Sequence, residues 1–459
     1  MVDDDGAVGL DGLQVRFDDE RAVCDAGVLL FATVAGRLGI ERLAQGLVRL
    51  RPKRPGAANA ARKVMALIYA MVLGADSIDD CNVLRAGRAR RLLDGWLAAP
   101  STLGTFLRAF TFGHVRQLDA LLGRALERAW QAGAGPGEGR LVIDVDSFVG
   151  EVCGRLKQGA AFGYTHVLGY HPILATRAQT GEVLHLRLRS GSANTQRGVE
   201  RFCDELIARV DRAGASGVKV LRAGSGFWKT RVFERLERAG WQYSIGVRMI
   251  TTVRAAVAAI DEDAWQSIDY PDDGEAQIAE TNYGGRRLIV RRTRLLGAQA
   301  ELWPDWRHFA FVTNRTEDIT IVEAEHRQHA IVELVIRDLK DQAMAHFPSG
   351  RFYANAAWTV LAAIAHNLLR WTELLGLPDG PIRAARTVSP TTASASRPPG
   401  QPRRALHAAP ARPLALADRV HRSAHPHPSP PRRRLSARGL RPARSRRSRP
   451  PGRDHRCPQ

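Results

Sequence analysis

The chain has 459 residues, 44% of them hydrophobic, and a formal net charge of +20. That is enough apolar material for two or three cored domains, and the charge points to a polyanionic partner. Five scattered cysteines with no Cys-x-x-Cys pair argue against a zinc ribbon or a disulfide framework.

The acidic start, Met1-Val2-Asp3-Asp4-Asp5, lacks the regions of a signal peptide. From about 20 to 131 the pattern is helical. Segments 28–50, 59–73, 88–97 and 101–130 carry apolar residues at three- and four-residue spacing. Residues 100–110 have the form of the second helix of a helix-turn-helix, which would offer Arg108 to a DNA groove. An ordinary helical bundle is the plainer alternative. Gly and Pro between 131 and 139 then predict a flexible linker.

Beyond the linker the pattern changes. Strands are expected at 141–146, 170–177 and 182–189, a helix at 195–213, a strand at 219–223, a helix at 229–239 and a strand at 243–248. Three meandering strands, a helix, a strand, a helix and a strand are the order of a ribonuclease-H-like α/β domain, expected over 140–380. In that order the first and fourth strands lie side by side, which brings Asp146 close to Gly224. Residues 250–315 read as an inserted mostly-β element. Helices follow at 321–341 and 354–375, the second apolar on nearly all sides and therefore buried. The run 356–369 within it is too short to span a bilayer, so a soluble cytoplasmic protein is expected.

Three segments carry chemistry. Leu141-Val142-Ile143-Asp144-Val145-Asp146 is an apolar strand ending on a carboxylate, with Asp144 as an alternative ligand or neighbour on the same face. On the later helix His326, His329, Glu333, Arg337 and Lys340 recur at three and four residues and share a polar face. Glu333 there suits a metal, and Arg337 and Lys340 suit phosphates. A solvated strand-end acid and a solvated helix face are the bland alternatives. Between these segments, Leu221-Arg222-Ala223-Gly224-Ser225-Gly226-Phe227-Trp228 offers no acid, and none occurs from 219 to 231. Phosphoryl transfer at DNA uses carboxylates at strand ends to hold two Mg²⁺ ions.

With these runs, Gly154-Arg155-Leu156-Lys157-Gln158-Gly159-Ala160, Gly169-Tyr170-His171-Pro172 and the stretch from Pro348 to Trp358 complete a set of motifs in order. Together they resemble the group-1 DDE transposases of bacterial insertion sequences, over roughly 14–385. The resemblance implies DNA strand cleavage and transfer by an Asp, Asp, Glu triad with Mg²⁺ or Mn²⁺. It implies double-stranded DNA partners (transposon ends and target), a homo-oligomer on DNA, and a nucleoid-associated cytoplasmic protein. Asp146 matches the first acid and Glu333 the third, and both would hold metal. Gly224 stands where the second acid belongs, so impaired chemistry is expected. A catalytically dead protein that occupies transposon ends is the alternative. Arg337, Lys340, His326 and His329 would face DNA phosphates, and Trp228 would stack on a distorted base.

The charge is uneven. From 387 to 459 there are seventeen Arg, two Asp and fourteen Pro, with no Lys, Glu, Phe, Trp or Tyr. This stretch therefore carries +15, leaving +5 for the rest. Such a segment cannot bury a core and is expected to be disordered. It reads as out-of-frame GC-rich coding sequence or as a DNA-clamping arm.

Overall fold

A computed structural model describes residues 8–10, 13–15, 25–86, 93, 97–163, 165–270, 274–295 and 306–376. The Arg/Pro-rich stretch 387–459 and most of the helix expected at 88–97 lie outside the described residues.

Helices of eight or more residues are numbered here. The first five are α1 (Val28–Arg37), α2 (Ile40–Leu47), α3 (Ala60–Val72), α4 (Pro100–Arg108) and α5 (Phe112–Ala129). Two of the long helices expected from the sequence are broken. Gly39 takes a left-handed φ of +60° between α1 and α2, and Arg128 donates to the carbonyls of Leu38 and Gly39 there. Between α4 and α5, Thr111 and His114 form a capping box that starts a new helix. The expected linker is anchored rather than loose. A turn of helix, Trp130–Ala134, continues α5, Arg177 donates to Ala134 O at 2.7 Å, and Ser216 donates to Gly137 O.

The sheet strands are β1 (Leu141–Ser147), β2 (Ile173–Arg177), β3 (Val183–Arg187), β4 (Lys219–Ala223) and β5 (Gln242–Gly246). Then come β6 (Gln266–Ile268), β7 (Gly274–Tyr283), β8 (Arg286–Leu295) and β9 (Arg307–Thr313). The order across the sheet is β6-β7-β8-β9-β5-β4-β1-β2-β3. Strands β1, β4 and β5 run parallel, and β2 and β3 form an antiparallel meander on the other side of β1. The first and fourth strands are neighbours, as the element order predicts. Strands β6 to β9 continue the same sheet, because β9 pairs antiparallel with β5.

The remaining helices are α6 (Val199–Ala213), α7 (Thr230–Arg238), α8 (Thr251–Ala258), α9 (Ile319–Arg327), α10 (Val332–Lys340) and α11 (Phe352–Gly376). Helix α11 is apolar on most sides and buried from Ala354 to Trp371, packed against α1, α3, α4, α5 and β3. No helix among the described residues is long and apolar enough to cross a membrane. The helical region and the sheet share this spine and belong to one compact unit. Buried Glu182 fastens the junction, accepting from Trp130 and Trp371 on one oxygen and from Arg177 and Thr180 on the other. With both oxygens doubly bonded, this carboxylate is matched to its burial.

Within α11, His366 is buried with Nε2 on Gly181 O at 2.9 Å, and burial pushes its pKa down to about 3. An unfolded histidine takes up a proton near 6.5. The stability from its neutral burial is therefore complete above about 6.5, falls as the pH drops, and is gone below about 3. Urea unfolding at pH 7 and pH 5 should show a loss, with about 1.4 kcal/mol per pH unit from each such histidine. The His366→Gln variant should show a shallower dependence.

Candidate active site

Strand β1 is apolar through Val145 because both faces of the sheet centre are covered. Its two acids break that rule, and each has a distinct environment. Asp144 is fully buried and receives a two-pronged bond from Arg222 of β4, Nε to Oδ1 at 2.7 Å and Nη2 to Oδ2 at 2.8 Å. Arg222 is itself 1% exposed and also donates to the carbonyl of Glu325, near the end of α9. Asp144 is thereby spent on Arg222 and is not a free ligand.

The parallel ladder pairs Asp144 with Arg222 and Val145 with Ala223. Gly224 follows at the level of Asp146. Side chains alternate along a strand, so positions 146 and 224 share the face of the ion pair. Adjacent strands lie about 4.8 Å apart, so a side chain at 224 would stand beside Asp146.

Asp146 is partly buried at the strand end, with Oδ1 taking the Ser147 N–H at 2.7 Å. Burial raises its pKa. The Ser147 bond and His329 act against this, and the negative charge of Glu333 adds to it. Asp146 and Glu333 are thus close enough to repel each other. Helix α10 packs on β1 through a buried stripe of Val332, Val335, Ile336 and Leu339. Glu333, Arg337 and Lys340 lie exposed on its outer side, as their spacing predicts. Arg337 remains 53% exposed, 3.9 Å from Asp338.

Gly224 takes φ −72° and ψ 174°, a conformation open to any residue, and nothing lies within 4 Å of a Cβ added there. Gly226 is different. A Cβ at 226 would come within 2.6 Å of Thr195. Only the second glycine is a steric requirement. The turn Ser225–Phe227 has three residues, too short for a phosphate-binding helix start.

A partly buried and an exposed carboxylate that repel each other are a donor set that suits a hard divalent cation. Asp144 is held by Arg222, and Glu325 by Arg140 and Arg315, so neither of these acids is free to join them.

The sequence profile of the transposase DDE domain, group 1, matches residues 7–389. The chain belongs to this transposase family. No curated protein matches it. Among solved structures it is similar to a piggyBac transposase in a synaptic complex with hairpin DNA. The identity is 12%, the TM-score 0.41, and the match covers 78% of this chain and 76% of that one.

Within the transposase, the shared face expected for positions 326 to 340 is interrupted. A tighter turn at Gln328–Ile331 separates α9 from α10. His326 is corrected by this break. Its ring stacks on Phe311 with centroids 4.0 Å apart, and its Nδ1 bonds with Ser244 Oγ at 2.9 Å. Burial, helped by nearby His329 and arginines, pushes its pKa down to about 3. It is a neutral packing residue and does not carry the charge that a phosphate contact asks of it. His329 faces Val145 O through Nε2 at 3.2 Å, so that nitrogen carries the proton and braces the strand just before Asp146.

Trp228 is partly buried, its ring 6.1 Å from that of Tyr283 at the β7 hairpin tip. Arg108 is exposed at the end of α4, bonded to Thr105 Oγ1, and its carbonyl accepts from Arg351. It lies on a different part of the fold from α10. The motif residues 154–160 and 348–358 meet directly, Gln158 N donating to Gly350 O and Phe352 N to Gln158 Oε1.

A second acid–histidine group, Asp119, His185 and Glu205, has atoms close enough to ligate an ion. Arginines fill that role instead. Arg209 reaches Asp119 at 2.7 Å, and Arg116 and Arg187 bind Glu205. Burial disfavours ionised Glu205, but His185, Arg187 and Arg116 outweigh it and bring its pKa to about 2. The cluster is an ion-pair clamp joining α5, β3 and α6.

The sequence reading missed Arg222 as Asp144's partner. The signal was present: a cation and an anion inside apolar strands, each two residues before a site position. Asp144→Asn would leave a buried guanidinium without its counter-charge and should cost about 3–5 kcal/mol in urea unfolding. Asp146→Asn removes a charge that burial and Glu333 both oppose, and should leave stability equal or slightly higher.

Proposed function

We propose that the chain is a transposase of an insertion sequence, acting on transposon-end and target DNA through a ribonuclease-H-like site centred on Asp146 and Glu333, and that this copy is impaired at Gly224. The observation that carries the reading is the register of β1 and β4, which sets a side-chain-free position beside Asp146. Asp146 and Glu333 hold Mg²⁺ or Mn²⁺. A divalent cation bound there neutralises charge developing on the phosphate oxygens. Arg337 and Lys340, one and two turns beyond Glu333, bind flanking DNA phosphates. His329 keeps the end of β1 in place. Trp228 offers a face to an unstacked base, and Arg108 contacts DNA from the helical region. The protein works as a homo-oligomer on DNA. The strands from 266 to 313 act as an insertion on the catalytic domain, and residues before 131 as the DNA-docking part.

A second reading is favoured by the same vacancy. With one acid missing, the protein occupies transposon ends without cutting them and competes with active copies. Strand cleavage separates the two readings. With Mn²⁺ and DNA carrying the element's ends, Gly224→Asp should cleave about 10³-fold or more faster than the parent, the scale of several kcal/mol from one positioned charge. The open space at 224 predicts that this variant folds, with a modest loss of stability from the added like charge that Mn²⁺ offsets. Cleavage by the parent at the variant's rate would remove the impairment from the account.

A further inference from the structure

At the edge of the sheet beyond β2, a cavity of about 250 Å³ opens where the chain leaves β3 and approaches the start of α6. Ile173, Arg187, Arg189, Ser190, Arg197 and Gly198 line it, and no lining residue is acidic. Arg187 is already paired with Glu205, which leaves Arg189 and Arg197 facing the space.

Arg189 is the centre of the arrangement. It is only 8% exposed. Its Nε donates to His171 O at 2.9 Å, and its Nη1 is shared among the carbonyls of Asn194, Thr195 and Arg197. Its Nη2 is buried and has no partner. Burial and neighbouring Arg187 pull its pKa down to about 10, so it is a cation lacking a counter-charge. Glu182 is held by Arg177, Glu200 by Lys229 and Arg235, and Glu205 by Arg187, Arg116 and Arg201.

A second feature converges on the same space. Helix α6 has 15 residues and begins after Gly198, which takes φ +74° and supplies no side-chain cap. The Val199 N–H is taken by Gln196 O, and the positive end of the helix dipole lies at the same place. Uncapped helix starts beside arginines suit oxyanions.

We propose that this cavity is a binding site for one phosphate group, held by Arg189, Arg197 and the start of α6. Its position relates it to the acids. Ile173 pairs with Ser147, the residue after Asp146, and Thr195 of the same loop packs on Gly226 beside the vacant position. A DNA backbone phosphate and a free phosphate ion share the required chemistry. The DNA occupant rests on the proposed function above, whereas the pocket itself does not.

The test uses the full-length protein and two charge-matched variants. Arg197→Gln alters the exposed lining arginine. Arg212→Gln makes the same change in the last turn of α6, about 20 Å away along the helix. Inorganic phosphate, titrated against chloride at equal ionic strength, should raise the melting temperature of the parent and of Arg212→Gln but not of Arg197→Gln. Arg189→Lys, which keeps the charge and loses the fork, should also respond less. Duplex DNA affinity, measured across a salt series, should fall several-fold in Arg197→Gln alone, its salt slope shrinking by about 1. If phosphate acts through Arg197 while DNA affinity is the same in both variants, the occupant is free phosphate. If the parent binds no duplex yet responds to phosphate through Arg197, the transposase reading fails and the pocket stands. Identical behaviour of Arg197→Gln and Arg212→Gln in both arms overturns the proposal.

Discussion

The buried ion pair between Asp144 and Arg222 is the interaction on which the site depends. Removing both charges from water is expensive, and an isolated pair rarely repays that cost. Here the geometry is two-pronged, with bonds of 2.7 and 2.8 Å, and the guanidinium's remaining reach goes to the carbonyl of Glu325. One side chain therefore touches three parts of the chain: its own strand β4, the neighbouring β1, and the end of α9 that leads toward Glu333. A slip of one residue between β1 and β4 would bury both charges without partners. The pair thus makes the register that sets position 224 beside Asp146 strongly preferred.

What surrounds the vacancy sharpens its meaning. Gly226 is packed against Thr195 and tolerates no side chain without movement, while Gly224 has open space and an ordinary extended backbone. The scaffold imposes a glycine at one of these positions and not at the other. The register sets position 224 beside Asp146 with open space around it. Burial and the negative charge of Glu333 meanwhile both raise the pKa of Asp146.

Much of this was legible in the sequence because it rests on local patterns. The apolar run ending in Asp146, the turns of the meander, the all-round apolar character of α11 and the i, i+4, i+7 row of Glu333, Arg337 and Lys340 are each encoded within a few residues. The features that escaped depend on contacts between distant segments. His326 keeps helical spacing with Glu333 in sequence, yet the turn at Gln328–Ile331 swings it onto Phe311 and Ser244. The helix breaks at Gly39 and before Thr111 are stabilised by Arg128, 89 residues away, and by a cap whose histidine resembles any helical residue. Strands 266 to 313 looked like an inserted element, and their continuity with the main sheet comes from β9 pairing with β5, which no periodicity announces.

The central claim is that a single missing carboxylate at 224 leaves ligands for one divalent cation where the family's chemistry uses two. Mn²⁺ titration of the purified protein and of Gly224→Asp, followed calorimetrically, tests it most directly. The account predicts one site per chain in the parent, lost in Asp146→Asn, and two in Gly224→Asp. Two equivalent sites in the parent, or no added site in Gly224→Asp, would contradict it.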